Sequence, residues 1–457
     1  MFHLDRKILL FWTASILIIQ SSAKAQDIKV YFSKNVDTTL HTGIPPDGWN
    51  VRLDSLLATY IDSAQYSVDI CVYNMDNTSL GFLSPAIRQA IERGVKFRVI
   101  TDEGFDDEEV IDSLAAWGIM HINERFGGGS GSMHCKFFVI DGRDSDTTND
   151  ISIISSSNLT VDNILNDANN TLVIHWYQIS YALEGQFNIY WGSSGDIPNA
   201  DSSDFSSDFP DVIQHIFEGD GIACELYFSP QKTQYEDSIL ERITSINYEA
   251  YFCINRFTRS SDMDDSLKNL YYRGIDLRGV FGYRDNVYYD MLGENDGEDT
   301  IYNWVPTLSG YIFTDTISSG VIHSKYLLGD CRHPLSDPFV LTGSMNWSDP
   351  GFHTNNECVI IIHDYEVAQK YLAAFATQYT GPLAKIGESF SPQTKFRIYP
   401  NPTRRYIYID PPSNIELFDI RGRKIGDFTQ LIDMNNMPIG IYLMKSKSEW
   451  HKILLLR

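Results

Sequence analysis

The chain repeats itself, and that constrains its fold more than any other feature. K-V-Y-F-S (29–33) returns as E-L-Y-F-S (225–229). A helix-like stretch at 53–64 returns at 235–247, and Y-S-V-D-I-C-V-Y (66–73) returns as Y-E-A-Y-F-C-I-N (248–255). A-I-R-Q-A-I-E-R-G-V-K-F-R-V-I (86–100) then matches S-L-K-N-L-Y-Y-R-G-I-D-L-R-G-V (266–280), each reading as a helix stopped by glycine and followed by a strand. Two units with the same order of elements are therefore expected. Within each, strands alternate with helices, which predicts an α/β layer with a largely parallel or mixed sheet. The segment 195–211, rich in Ser, Asp and Gly, reads as the connector between them.

Each half also carries H-x-K-x4-D, as His134, Lys136 and Asp141 and again as His323, Lys325 and Asp330. On a strand, alternate residues share a face, so each His and Lys project together and Cys135 points away. A serine-x-asparagine turn follows in both halves: Ser156 and Asn158, then Ser344 and Asn346. One H-x-K is a weak signal. Two copies at equivalent points of a duplication, each with the same turn behind it, are specific. These residue types suit a phosphodiester. Two lysines supply fixed positive charge for its oxygens, and the amides and hydroxyls add donors. One neutral histidine attacks phosphorus while the other gives a proton to the leaving oxygen and later activates water. The charge comes from the protein, so neither metal nor cofactor is expected. The Gly-rich run at 125–133 reads as a plain loop, and His175, His215 and His363 have no metal-like spacing.

The paired motifs resemble the phospholipase D superfamily over roughly residues 29–380. The resemblance implies two pseudo-symmetric phospholipase D-like lobes, with mixed sheets flanked by helices, whose motifs meet at one site and form a covalent phosphohistidine. It places His134, Lys136 and Asn158 in the first lobe and His323, Lys325 and Asn346 in the second, with Ser156 and Ser344 supporting. Asp141 and Asp330, at the far ends of their strands, are expected to be structural. In the family an acidic residue behind the turn holds the histidine Nδ1–H. Glu357, in T-N-N-E-C-V-I-I, fits that role for His323; the corresponding place in A-N-N-T-L-V-I is Thr171, leaving Asp162 or Asp167 as substitutes. On that assignment His323 is the more basic ring, whereas family precedent favours the first lobe as nucleophile, so the two roles stay open. S-S-S-N (155–158) in place of the usual G-S-x-N is a minor departure.

The ends of the chain address location. Arg6 and Lys7, an apolar run from Ile8 to Ile19, and Ala23-Lys24-Ala25 read as a signal peptide over 1–25. That run is too short for a span of about 20 residues. The tail carries Y-P-N-P (399–402), L-F-D-I-R-G-R (417–423) and G-I-Y-L-M (440–444), and resembles the C-terminal sorting domain of type IX secretion cargo. The resulting organisation is a signal peptide (1–25), first lobe (26–200), second lobe (212–380), linker (381–393) and a sorting domain (394–457) built as a small β-sandwich. Export allows disulfides, yet the six cysteines show no framework, and Cys71 and Cys253 fall in buried strands as free thiols. A net charge of −24 disfavours non-specific polyanion binding. Hydrolysis of phospholipid is therefore expected, with an extracellular nuclease of the same superfamily as the alternative. Partners are the phospholipid (or nucleic acid) substrate and the type IX machinery. A membrane-anchored synthase is disfavoured, and one chain suffices to complete the site.

Overall fold

The computed structural model describes residues 26–379 except 41–42, 206–214, 231–234, 260–261, 298–301, 310, 316 and 318, and in the tail 397–399, 406–410, 414–429, 431–446 and 449–455. The expected signal peptide, the linker at 381–393 and the last part of the connector lie outside the described residues.

The first half supplies β1 (Asp27–Phe32), β2 (Gly48–Trp49), β3 (Ser67–Val72), β4 (Lys96–Thr101), β5 (Met120–Asn123), β6 (Lys136–Ile140), β7 (Ile151–Ser155) and β8 (Asn170–His175). They form one sheet in the order β2-β1-β8-β7-β6-β3-β4-β5. The second half supplies β9 (Ile216–Gly219), β10 (Ile222–Ser229), β11 (Glu249–Ile254), β12 (Asp276–Phe281), β13 (Ile312–Thr314), β14 (Lys325–Gly329), β15 (Phe339–Gly343) and β16 (Glu357–His363). Their order is β13-β12-β11-β14-β15-β16-β10-β9. From β3 to β5 and from β11 to β13 neighbours run parallel, and the hairpin strands that follow are antiparallel. The duplication read from sequence is thus a duplication of mixed sheets.

Local chemistry explains the elements. Every residue of β3, β6, β11 and β14 is buried, as strands covered on both faces require. Asp76 caps the helix Asn77–Arg93 by accepting from the Ser79 amide, and Gly94 ends it at φ 94°, a left-handed conformation that favours glycine. The outer helices bury Leu57, Ile61, Leu83 and Ile87 against the first sheet. On the inner side a single core joins Phe137, Ile154 and Leu172 of one sheet to Tyr326, Val340 and Ile360 of the other. The helices Tyr177–Trp191 and Tyr365–Gln378 pack into the same core. All six cysteines are buried free thiols, Cys71 and Cys253 among them.

Two short parallel bridges stitch the lobes, Met133 to Asn356 and Ala168 to Ile322. Each ends immediately before a motif histidine. His134 N–H donates to the Asn356 carbonyl at 2.9 Å, and His323 N–H to the Ala168 carbonyl at 2.9 Å. The Gly-rich run takes part in this seam. Gly131 sits at φ 89°, and a Cβ there would lie 2.3 Å from the Thr354 carbonyl oxygen, so the segment before His134 packs directly on the second lobe.

In the tail, Arg397–Tyr399, Tyr406–Asp410 and Leu431–Asp433 form one sheet and Ile415–Asp419, Lys424–Phe428, Gly440–Ser446 and Glu449–Leu455 another. Ile407 and Ile432 of the first share a core with Leu417 and Met444 of the second, as in a small sandwich. Sequence patterning misses Lys424–Phe428 and Leu431–Asp433. The former is a partly exposed edge strand and the latter buries a single residue, so neither shows an apolar alternation. Among the described residues no helix is long and apolar enough to cross a membrane.

Candidate active site

The two H-x-K motifs come together where the bridges cross. His134 and His323 stand just ahead of β6 and β14, and Lys136 and Lys325 are their first residues. Both lysines are fully buried. Lys136 Nζ donates to the His134 carbonyl at 2.7 Å, and Lys325 Nζ to the His323 carbonyl at 2.6 Å. Burial brings Lys136 down to about 8 against the pull of Glu357, and burial followed by the charge of Lys136 pushes Lys325 well below its ordinary value. Two ammonium groups crowded into a dry site create a strong preference for an anion between them.

Asp141 and Asp330 are not at this centre. Each ends its strand at positive φ and accepts three consecutive backbone N–H groups, from Gln65, Tyr66 and Ser67 in one lobe and from Asn247, Tyr248 and Glu249 in the other. They tie the strand end to the loop that opens the sheet.

Glu357 overturns a sequence expectation. It does not hold the histidine of its own lobe. It crosses to His134, whose Nδ1 lies 2.8 and 2.9 Å from its two oxygens. Glu357 is fully buried. Burial pushes its carboxyl up, but His134 and Lys136 more than offset this and hold it below the usual range. Among the described residues His323 has no carboxylate partner: its Nδ1 lies 2.9 Å from the Ser156 carbonyl and 3.1 Å from Asn169 Oδ1. Asp162 and Asp167 do not substitute. Asp162 accepts from the Asn166 side chain, and Asp167 accepts from Val321 N–H and the Asn163 side chain.

The expected counterpart of Glu357, Thr171, is also displaced. Thr171 accepts from or donates to Ser155 Oγ at 2.8 Å within its own lobe. Asn169 occupies the equivalent place. Ser156 Oγ donates to Asn169 Oδ1 at 2.9 Å, and Ser344 Oγ donates to the Glu357 carboxylate; in both lobes the partner lies thirteen residues after the serine. Counting from the serine would have found it, whereas aligning the Asn-Asn pairs shifts it by two. These bonds also correct the expected role of the two serines, because their protons go to Asn169 and Glu357 rather than to a substrate oxygen.

Asn158 and Asn346 each bury an Oδ1 that has no hydrogen-bond partner among the described residues. Tyr73, not singled out from sequence, lies edge-on to His134 with centroids 4.6 Å apart, and Lys136 Nζ is 5.0 Å from its ring centroid. The repeat places Asn255 at the matching position, and its side chain donates to the Ile322 carbonyl at 2.8 Å.

No curated protein sequence is significantly similar to this chain. Residues 57–191 and 239–379, more than half of the chain, match the model for "Cardiolipin synthase, PLD-like domain", once per lobe. Among solved structures, phosphatidylserine synthase of Haemophilus influenzae aligns at TM-score 0.50 and 12% identity, over 71% of this chain and 82% of that one. Polyphosphate kinase of Porphyromonas gingivalis aligns at 0.48 and 13%, over 71% of this chain but only 48% of its own, so the match spans about half of that protein. Nuc of Salmonella typhimurium, a phospholipase D family member, aligns at 0.28 and 18%, over 38% and 99%. At such identities the second and third of these add little, and the first speaks for the fold. Residues 397–454 match a secretion system C-terminal sorting domain, which marks the protein for export through the type IX system to the cell surface or beyond, and so for contact with that machinery. With both lobes matched and both motifs converging, the chain belongs to the phospholipase D-like superfamily of phosphodiesterases and related transferases.

Proposed function

We propose that the protein is an exported phosphodiesterase of phospholipase D type that hydrolyses phospholipids through a phosphohistidine. The observation that carries this reading is the His134–Glu357 pair beside two buried lysines. Lys136, Lys325, Asn158 and Asn346 hold the phosphate oxygens. Glu357 accepts Nδ1–H, so the lone pair of His134 is on Nε2 and faces the substrate. Attack forms an N–P bond and leaves a cationic ring, which Glu357 stabilises. His134 is therefore the nucleophile, and His323 gives a proton to the departing alcohol and takes one from the water that cleaves the N–P bond.

The net charge of −24 favours a lipid headgroup over a polyanion as substrate. The test is incubation of purified protein, with EDTA, with phosphatidylcholine, cardiolipin and single-stranded DNA separately. Release of phosphatidate and headgroup is expected. Faster cleavage of DNA would replace this reading with the nuclease one. Headgroup exchange outrunning hydrolysis when alcohol is added would make the protein a transferase. Loss of activity on chelation would sink the role given to the lysines.

A further inference from the structure

The two histidines are held alike in geometry and unlike in charge. Asn169 is buried, and its Nδ2 donates to the Asn163 carbonyl at 2.9 Å, which fixes Oδ1 toward His323. His323 Nδ1 thus meets two acceptors, Ser156 O and Asn169 Oδ1. Lys325 Nζ is also 3.3 Å from this nitrogen, but that is the longest of the three contacts, and the lysine donates to the His323 carbonyl. Nδ1 carries the hydrogen here, as in His134, and Nε2 is the reactive atom of both rings. The surrounding bonds coincide: Ser156 N–H donates to Asn170 O at 3.0 Å and Ser344 N–H to Cys358 O at 3.0 Å, while the amides of Asn170 and Cys358 donate back to the serine hydroxyls at 3.1 and 3.0 Å. At the position thirteen residues after the serine, the carboxylate is exchanged for an amide.

We propose that Asn169 is the positioning residue that makes the site one-directional: it orients His323 as Glu357 orients His134, but leaves a cationic ring at His323 without the charged hydrogen-bond acceptor that His134 has. The proposal rests on the phosphohistidine reading above. A phosphorylated His323 would place a cation among Lys325 on its own strand and Lys136 and His134 on the facing one, with two neutral acceptors, Ser156 O and Asn169 Oδ1, at its Nδ1. Asp315 and Asp167 approach from the neighbouring loops and keep their charge, but they accept from the amides of Ile322 and Val321 and neither is hydrogen-bonded to the ring. Burial, then Lys325, Lys136 and His134, holds the His323 ring well below the ordinary histidine range. Its proton is present at low pH or once an anionic substrate offsets the lysines, and it is given up readily. That suits a donor to the leaving alkoxide. In the cycle the His134 Nε2–P bond forms as P–O breaks and the His323 proton passes to the alkoxide. Water then attacks phosphorus, its proton returns to His323, and P–N breaks.

The test uses the full exported chain and the variant N169D, checked for folding by melting temperature. Ring-nitrogen NMR of the free protein reads the protonation of His323 without any substrate. An opposite charge at this distance moves a titration by about one to three pH units, so N169D is expected to raise the His323 midpoint by at least one. Alkali-quenched protein, incubated with phosphatidylcholine labelled at phosphorus, is digested to locate the phosphohistidine. We expect label on His134 in the natural protein, with less than about a tenth as much on His323, and at least a tenfold gain on His323 in N169D, given about 1.5–3 kcal/mol for a charge-assisted hydrogen bond. An unmoved midpoint in folded N169D, or label on His323 of the natural protein, overturns the proposal. Absence of label on both histidines with the midpoint shifted overturns the phosphohistidine reading instead. Should N169D not fold, the ring tautomer of His323 in N169A serves: the Nδ1–H form is expected to lose its dominance with one acceptor gone, and an unchanged single Nδ1–H tautomer overturns the assignment of Asn169 as the positioning residue.

Discussion

The two lobes agree strand for strand and differ at the centre. Asp141 and Asp330 hold the same three backbone amides, Lys136 and Lys325 cover the same carbonyls, and Ser156 and Ser344 make the same turn. Behind the rings, Glu357 faces Asn169, and beside them Tyr73 matches Asn255. The repeated parts build the scaffold and the anion site, which serve a phosphate equally from either side. The parts that differ touch the histidines or the residue before them, where the two steps of the proposed reaction need opposite behaviour. One ring must tolerate a lasting positive charge, and the other must hold a proton loosely.

The sharpest way to break this division is to remove each histidine. His134→Ala and His323→Ala are each expected to lower turnover of phosphatidylcholine by at least about a thousandfold. They should separate on bis(4-nitrophenyl) phosphate, whose leaving group departs without a proton. His323→Ala should keep a single burst of nitrophenolate, seen by stopped-flow absorbance, and His134→Ala should show none. A burst in His134→Ala would reverse the roles. Glu357→Gln makes the lobes alike from the other direction, and a drop of about ten- to hundredfold in kcat is expected from loss of a charged hydrogen bond.

Smaller effects test what the lobes share. Asp141→Asn and Asp330→Asn should each cost on the order of 1–3 kcal/mol in denaturant titrations, through amides left poorly paired, and should leave catalysis largely intact. Unequal losses would show that the scaffold is less symmetric than its hydrogen bonds. Lys136 provides the pH test. Burial brings it down to about 8, and a bound anion raises that value. Tungstate binding should therefore take up protons between about pH 8 and 10, and affinity should weaken by up to about tenfold per unit above 8. Calorimetry in buffers of different ionisation enthalpy reads the uptake, and Lys136→Met should reduce it to the share of Lys325, whose value burial also depresses.

Much of this was legible beforehand. Strands and helices of a duplicated α/β unit follow from short-range patterns: apolar runs, glycine stops and the alternation that puts His134 with Lys136. Even the far-end position of Asp141 follows from counting along a strand. The faint strand Lys424–Phe428 was missed because it buries little and so leaves no pattern.

The sequence by itself determined the two-lobed fold, the pair of motifs and the chemistry they suit, because each is encoded within a few tens of residues. Only the tertiary structure decided who stands behind each histidine. Glu357 reaches His134 across 223 positions of chain, through a bridge between lobes that no local period records. A carboxylate near its own lobe's motif in sequence looked like that motif's partner. The seam between the sheets gives it to the other, since the strand that carries it leaves its own histidine and runs alongside the opposite one.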